Sequence, residues 1–386
     1  LADHLGAYQP LPSAAYHTLS VYPPELKLQE EYIHSFNPYQ RVTTGQVMLA
    51  DYQFKSPQSD TRVSQKAEHN ALEIYDWQQG NYSDTEQGQN KAQIRFDTLQ
   101  QHQQRVHAAG NLRGIQAGHT FTLTNHPTEA ANRDWLILGH TLHITENPAE
   151  SRAEQRFHVH TDFIVQPDTQ AIRPEPIAKP QARLQTATVV GPAEQELWTD
   201  TYGRIKVKFH WDRYNAKDEN ASCWIRVSHP WAGQNWGMIA IPRIGQEVIV
   251  DFLNGDPDYP IITGRVYNAM QMPPWDLPAN KTQSGFLTRS TKGGTPGHGL
   301  HNSPGTANAI RFEDKAGQEQ LWLHAQKDQL TEVENDEDKW VGQDRRKTID
   351  RDEFNTIHRD RTEIVDRNEK INVHGWRTEE VDLDET

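Results

Sequence analysis

Cysteine is almost absent. Of 386 residues only Cys223 is one, so no disulfide can form within the chain and a cytosolic folding compartment fits. Apolar residues are scarce as well, 35% of the total with a mean hydropathy of −0.86. That is low for a compact monomer of this length and suits an elongated or oligomeric, strand-rich protein. No apolar run approaches the roughly 20 residues of a membrane-spanning helix, and no signal peptide is read at the start. Residue 1 is Leu, and an upstream part is expected. A basic excess is missing too. The net charge is −14, and eight of those charges fall in Leu330–Thr386, which holds 18 acidic and 10 basic residues. Such a surface disfavours nucleic acid and anionic membrane as direct ligands. No His–Asp arrangement with a recognisable local motif accompanies Cys223, so it is read as a buried structural thiol in an apolar run beside Trp224 rather than a nucleophile.

In place of these, the C-terminal end carries an octad. Val333, Val341, Ile349, Ile357, Val365, Val373 and Val381 stand eight apart. If about one residue in eight were Val or Ile, seven hits in one register would arise by chance about once in two million starts. Eight residues of α-helix turn through roughly 800°, so successive members would drift around the helix. In a strand the side-chain period of two divides eight, and all seven can point one way. Asp336, Asp344, Asp352, Asp360, Asn368 and Asp384 lie three residues later, with Trp376 the exception. Asp and Asn favour turns, so each unit reads as a strand, one inward β-branched residue and a turn. Composition alone would make this acidic segment disordered. The reading adopted is an intertwined β-helix of several chains, three being the simplest closed form. A single-chain solenoid with three octads per turn is ranked second.

The remainder divides by pattern. Residues 1–184 are a mixed region with one helix, capped by Ser83 and Glu86, carrying Ala92, Phe96, Leu99 and Val106 on one face and stopping at Gly110. Strand-like runs cover 47–54, 72–77, 120–124, 135–144 and 156–165. Four prolines between Pro167 and Pro180 mark a linker. Residues 185–268 read as a small all-β barrel, of which the OB-fold is one type. Ile205, Val207, Phe209 and Trp211 alternate with polar residues, and runs at 223–227, 238–241, 248–253 and 261–266 follow. Residues 269–307 are an extended connector, and strands at 309–312 and 320–325 lead into the octads.

Several of these residues resemble one family. Trp198-Thr199-Asp200, Trp211-Asp212-Arg213, Cys223-Trp224-Ile225-Arg226-Val227, Ile241-Pro242-Arg243-Ile244-Gly245-Gln246-Glu247-Val248 and Gly255-Asp256-Pro257-Asp258 look like the core signature of the VgrG proteins, the spikes of the bacterial type VI secretion system. Gly264 to Asn268, Asn280 to Gly285, Arg311 to Lys315 and Leu323 to Asp328 extend the match, which runs from about residue 40 to the end. The resemblance implies a mainly β homotrimer related to contractile phage tail hub and needle proteins. Its parts would be a phage baseplate hub-like barrel region over 1–184, incomplete at its start, an OB-fold barrel over 185–268, a connector with the first needle strands over 269–328, and an intertwined triple-stranded β-helix over 329–386. It also implies an Hcp tube ring at the hub end and a PAAR-type tip protein with effectors at the needle end. Assembly would take place in the bacterial cytoplasm, followed by secretion to the outside or into a target cell. The octads depart from the pattern in having only Gly342 and Gly375 near the core valines.

No catalytic site, cofactor or metal is expected. The connector is too short to hold the lysozyme domain that some phage needles carry. His158 and His160 alternate in a strand as a pair of ligands would be arranged, but no neighbouring Cys or carboxylate cluster completes a set. His298 and His301 fall in a Gly-rich stretch expected to be exposed, and His374 should face outward. The barrel aromatics Phe209, Trp211, Trp224 and Trp236 are platforms for stacked bases on one reading. Their alternation favours core or trimer contacts, and eight basic against eight acidic residues between Trp198 and Asn268 give no electrostatic pull. The function expected is a mechanical, membrane-puncturing spike. The alternatives are a phage baseplate hub or needle protein, a polysaccharide-degrading trimeric tailspike, which would need paired carboxylates, and an OB-fold carrier of nucleic acid.

Overall fold

The computed structural model describes all residues except 1–3, 24–25, 27–29, 69–70, 79, 81, 147–156, 295, 301–302 and 384–386, and the backbone alone at 296–300 and 303–304. The chain divides into two compact units, Leu1–His324 and Ala325–Thr386.

In the first unit the largest sheet runs in the order Gln9–Pro10, His119–Thr124, Asp134–Glu146, Phe157–Pro167, Val106–Gly110, Ile33–Pro38, with Thr18–Ser20 parallel to His119–Thr124. Period-two alternation sends Phe121, Leu123, Phe163 and Val165 to one face, where they meet Phe36 and Trp135 in a buried core. The expected strands at 120–124, 135–144 and 157–165 are present, while Arg156 lies outside the described residues. Ile33–Pro38 is an added strand. Asn37 and Pro38 disguise it, and Pro38 is tolerated because the strand is the sheet's last.

A smaller sheet, Val63–Lys66, Gln46–Ala50 and Glu73–Trp77, carries the helix Thr85–Gln100. Ala92, Phe96 and Leu99 pack there against Val47, Leu49 and Val63. The cap is one residue later than the Ser83–Glu86 box. Asp84 accepts from the Gln87 N–H at 2.9 Å, and Gln87 Oε1 accepts from the Ser83 N–H at 3.3 Å. The helix also ends ten residues before Gly110. Buried Gln101 closes it by donating to the Arg173 carbonyl and accepting from the Arg173 N–H. Val106 belongs instead to a strand, opposite Val165. A seven-residue spacing from Leu99 fits the helical period, and the strand shows only in the pairing with Val165.

Five strands build the barrel, in the order Lys206–Phe209, Gln185–Val190, Glu247–Phe252, Pro260–Val266, Arg226–Val227. The two end strands meet through Ile205 and Ile225, which exchange N–H···O bonds of 3.0 and 2.8 Å, so the sheet closes on itself. Ala187, Val189, Val207, Val248, Val250 and Ile262 fill the interior. The expected alternation holds through Phe209 but not at Trp211, which lies past the strand end and is 69% exposed. Cys223 is exposed rather than buried, because the segment's backbone pairing begins only at Ile225, two residues further on. The run at 238–241 contributes only Gly237–Met238, half of an exposed hairpin with Trp231–Ala232.

The helix-bearing region is tied to the barrel at named points. Phe54 sits edge-on to Tyr202 with ring centroids 5.3 Å apart, beneath the guanidinium groups of Arg204 and Arg226. The Tyr259 hydroxyl donates to the Gly80 carbonyl. Lys179, in the linker, bonds Asp256 and Asp258, whose carboxylates push its pKa up to about 12. Gly80 is required here twice over. Its φ is +90°, and a Cβ would lie 2.6 Å from the Tyr259 ring. Gly80→Ala is therefore expected to cost about 1–3 kcal/mol and to speed proteolysis within 168–184, measured by mass-resolved limited digestion. Unchanged cleavage would remove the joint's role.

Candidate trimerisation surface

Residues 327–383 contain no strand, and among the described residues they form no backbone–backbone hydrogen bond within the chain. Their order is nevertheless periodic. Bends recur at 334–335, 342–343, 350–351, 358–359, 366–367, 374–375 and 382–383. Each follows directly on one of the seven Val or Ile residues. The corner is thus one to two residues after the apolar position, not at the Asp or Asn three residues after it; Asp384 lies outside the described residues. Gly342 and Gly375 both fall within bends. The seven apolar residues have nearly equal exposure, from 43% at Ile349 to 53% at Ile357, whereas Trp340, Phe354 and Ile364 exceed 80%. Equal exposure at equal spacing is the mark of one conformation repeated.

A second apolar surface lies just before this segment. Gln283–Leu287, Ala309–Glu313 and Gln320–His324 form an antiparallel sheet. Gln283–Leu287 falls in the stretch read as connector, where one Phe among Ser, Gly and Gln gives little pattern. One face of the sheet is covered, with Trp322 and Arg311 buried and the guanidinium 5.0 Å from the indole. The other presents Phe286, Ile310, Phe312, Leu321 and Leu323, all at least 43% exposed. Phe286 pairs with Ile310, Ile310 with Leu323, and Phe312 with Leu321, so the five are contiguous. Sequence reasoning missed this face, although the alternations Ile310/Phe312 and Leu321/Leu323 were there to be read.

Charge along the octads is paired locally. Lys339 meets Glu337 and Arg377 meets Glu379, both at 2.8 Å, and Arg361 meets Glu363 at 2.5 Å. Lys347 reaches Glu353 and, with Asn355 and Arg345, holds that carboxyl below its usual range. Such exposed pairs contribute little to stability.

His160 stacks on His34 at 5.4 Å and lies 3.3 Å from Asp162, with His143 3.9 Å from the same carboxylate. His34 is pushed below its usual pKa by burial and then by His160. His158 is exposed opposite Thr145 and takes no part. Among the described residues no three His, Cys, Asp or Glu side chains could hold a metal ion. His374 is exposed in a bend, His301 lies outside the described residues, and only the backbone of His298 is described. In the barrel, Trp224 lies 4.4 Å from Trp198 with Lys206 over both rings, and Phe209 stacks on Trp211. Trp236 is 59% exposed.

A hub-like sheet region, a closed five-stranded barrel and a periodic tail define the hub-and-needle class shared by phage tails and type VI secretion. Residues 1–148 match the phage tail baseplate hub (GPD) family, 185–267 the type VI secretion system/phage-baseplate injector OB domain, and 284–386 the bacteriophage T4 gp5 C-terminal trimerisation domain. The chain is 46% identical over 365 residues to the type VI secretion system spike protein VgrG1b of Pseudomonas aeruginosa, covering 90% of this chain and 47% of that protein. It is 42% identical over 350 residues to VgrG1a of the same organism, covering 89% and 53%. The actin cross-linking toxin VgrG1 of Vibrio cholerae is 40% identical over 319 residues, covering 79% and 28%. Among solved structures, the E. coli c3393 protein, a component of the type VI secretion system, aligns with a TM-score of 0.36 and 16% identity over 66% of this chain and 51% of that one. The chain belongs to the VgrG family of type VI secretion spike proteins. It spans about half the length of the Pseudomonas relatives it matches.

If the seven Val and Ile residues face a shared axis, Ile357→Asp puts a carboxylate from every copy at one level. A loss exceeding about 3 kcal/mol is expected, against less than about 1 kcal/mol for His358→Ala. Denaturant unfolding of the two variants checks the assignment, and a reversed order would mean the faces are exchanged.

Proposed function

We propose that the chain forms the trimeric spike at the tip of a type VI secretion tube and delivers effectors by mechanical puncture of a target membrane. The observation that carries this reading is the octad segment. It has a bend and a half-exposed β-branched residue every eight positions, and its backbone is unpaired within the chain. Three copies wound about one axis satisfy both features, since strands of neighbouring copies supply the missing backbone partners while the Val and Ile side chains meet inside. Each level then buries three β-branched side chains, about 1.5–3 kcal/mol apiece. Seven levels coupled by intertwining give a stiff rod that unfolds slowly. The same copies cover the apolar face of Phe286, Ile310, Phe312, Leu321 and Leu323, which lies inside the stretch matching the trimerisation domain.

The hub end is assigned to an Hcp tube ring, and the needle end to a PAAR-type tip protein and effectors. The acidic exterior keeps the rod soluble and repels anionic lipid. The protein assembles in the bacterial cytoplasm and leaves through the secretion apparatus. No reaction is assigned to it. By its name the Vibrio relative is a toxin, and chemistry of that kind is assigned to sequence outside the aligned 28% of that protein.

Light scattering on the purified protein is expected to give the mass of three chains. A monomer mass would remove the physical basis of the spike.

A further inference from the structure

An octad core has a weakness of its own making. The Val and Ile of one level are interchangeable with those of the next, so the core cannot tell correct register from a slip of one octad. In the proposed trimer, on which this inference rests, each bend carries a chain to the next face. Threefold symmetry then lays octad n+1 of one copy against octad n of its neighbour. Strands on one face are about 4.8 Å apart, so side chains at the same octad position form a column running across copies.

Two columns have a period the core does not need. Four residues after each core position stand Glu337, Arg345, Glu353, Arg361, Glu369, Arg377 and Glu385, alternating in sign without exception. One residue after the core stand Glu334, Gly342, Asp350, His358, Asp366, His374 and Asp382, where an acid occurs only at every second octad. The repeat is therefore sixteen residues long at these positions and eight in the core. All of the described members are solvent-exposed, and no burial requirement explains the doubling.

We infer that these two columns are the register key of the trimer, and that the partner they recognise is a second copy of this chain displaced by one octad. In that register Glu meets Arg at every step of the first column, and no acid meets an acid in the second. A slip of one octad reverses both, stacking Glu on Glu, Arg on Arg and acid on acid. Asp336, Asp344, Asp352 and Asp360 form a column of one sign whose members meet their own kind at any offset, so they hold no register information. Arg351, Arg359 and Arg367 behave in the same way. A slip of two octads leaves the key satisfied and is opposed only by the levels lost at the ends.

The test keeps net charge fixed throughout and, in its main variant, composition as well. Arg345→Glu with Glu369→Arg turns the first column into three Glu, three Arg and the final Glu385, leaving two opposite-sign steps of six. It spares the local pairs Lys339–Glu337, Lys347–Glu353, Arg361–Glu363 and Arg377–Glu379. Unfolding rate and mass are measured at low and high salt for the wild type, this variant and Arg345→Gln/Glu369→Gln. The charge-reordered variant is expected to unfold at least about tenfold faster at low salt or to fail to trimerise, with the gap closing toward 1 M salt. The Gln variant should be a trimer of intermediate rate. If the wild type is a trimer and the reordered variant matches it at low salt, the register key is wrong and the spike stands. If the wild type is not a trimer, the spike reading fails first.

Discussion

Backbone hydrogen bonding is the constraint on which the rest of this molecule depends. An N–H or C=O removed from water without a partner is costly, and the two halves of the chain meet that demand in opposite ways. The barrel closes on itself, with Ile205 and Ile225 joining its first and last strands so that the sheet has no free edge at that seam. Among the described residues, 327–383 make no such bond within the chain. An extended segment of this kind can be served only by water or by other copies, and its half-exposed Val and Ile row makes water a poor choice. The features of the tail, its period, its bends and its charge, read most economically as terms of a shared structure.

Much of this was legible in the residues, for identifiable reasons. The octad needed no tertiary context, because a period commensurate with two and incommensurate with 3.6 selects a strand by arithmetic alone. The barrel strands were legible because alternation at Ile205 and Val207 is strict. What escaped depended on neighbours. Turn propensity placed the corner at Asp and Asn, while the chain bends at the two residues after each Val or Ile, whatever their type. Val106 fits a helix by spacing and a strand by context, and only its pairing with Val165 decides. The strand at Gln283–Leu287 offers one Phe among polar residues, and Cys223 looks apolar by company but sits just outside the paired strand. The apolar sheet face is not legible strand by strand, because it arises from the cross-strand pairs that make Phe286, Ile310 and Leu323 neighbours.

The absence of intrachain pairing in the tail also has a kinetic side. A segment that cannot fold alone meets its partners by diffusion unless something holds them close, and three-body encounters of free tails are slow. The sheet of Gln283–Leu287, Ala309–Glu313 and Gln320–His324 is already formed within one chain and ends one residue before the tail begins. If three such sheets associate through their apolar faces, as in the proposed trimer, the attached tails are confined to a small volume, where the effective concentration of each for the others reaches the millimolar range. Zippering then starts beside the sheet and travels toward the C-terminus, one octad at a time. In that assembly the sheet is the ignition point, and a chain with an intact tail but a disrupted sheet would assemble late rather than assemble weakly.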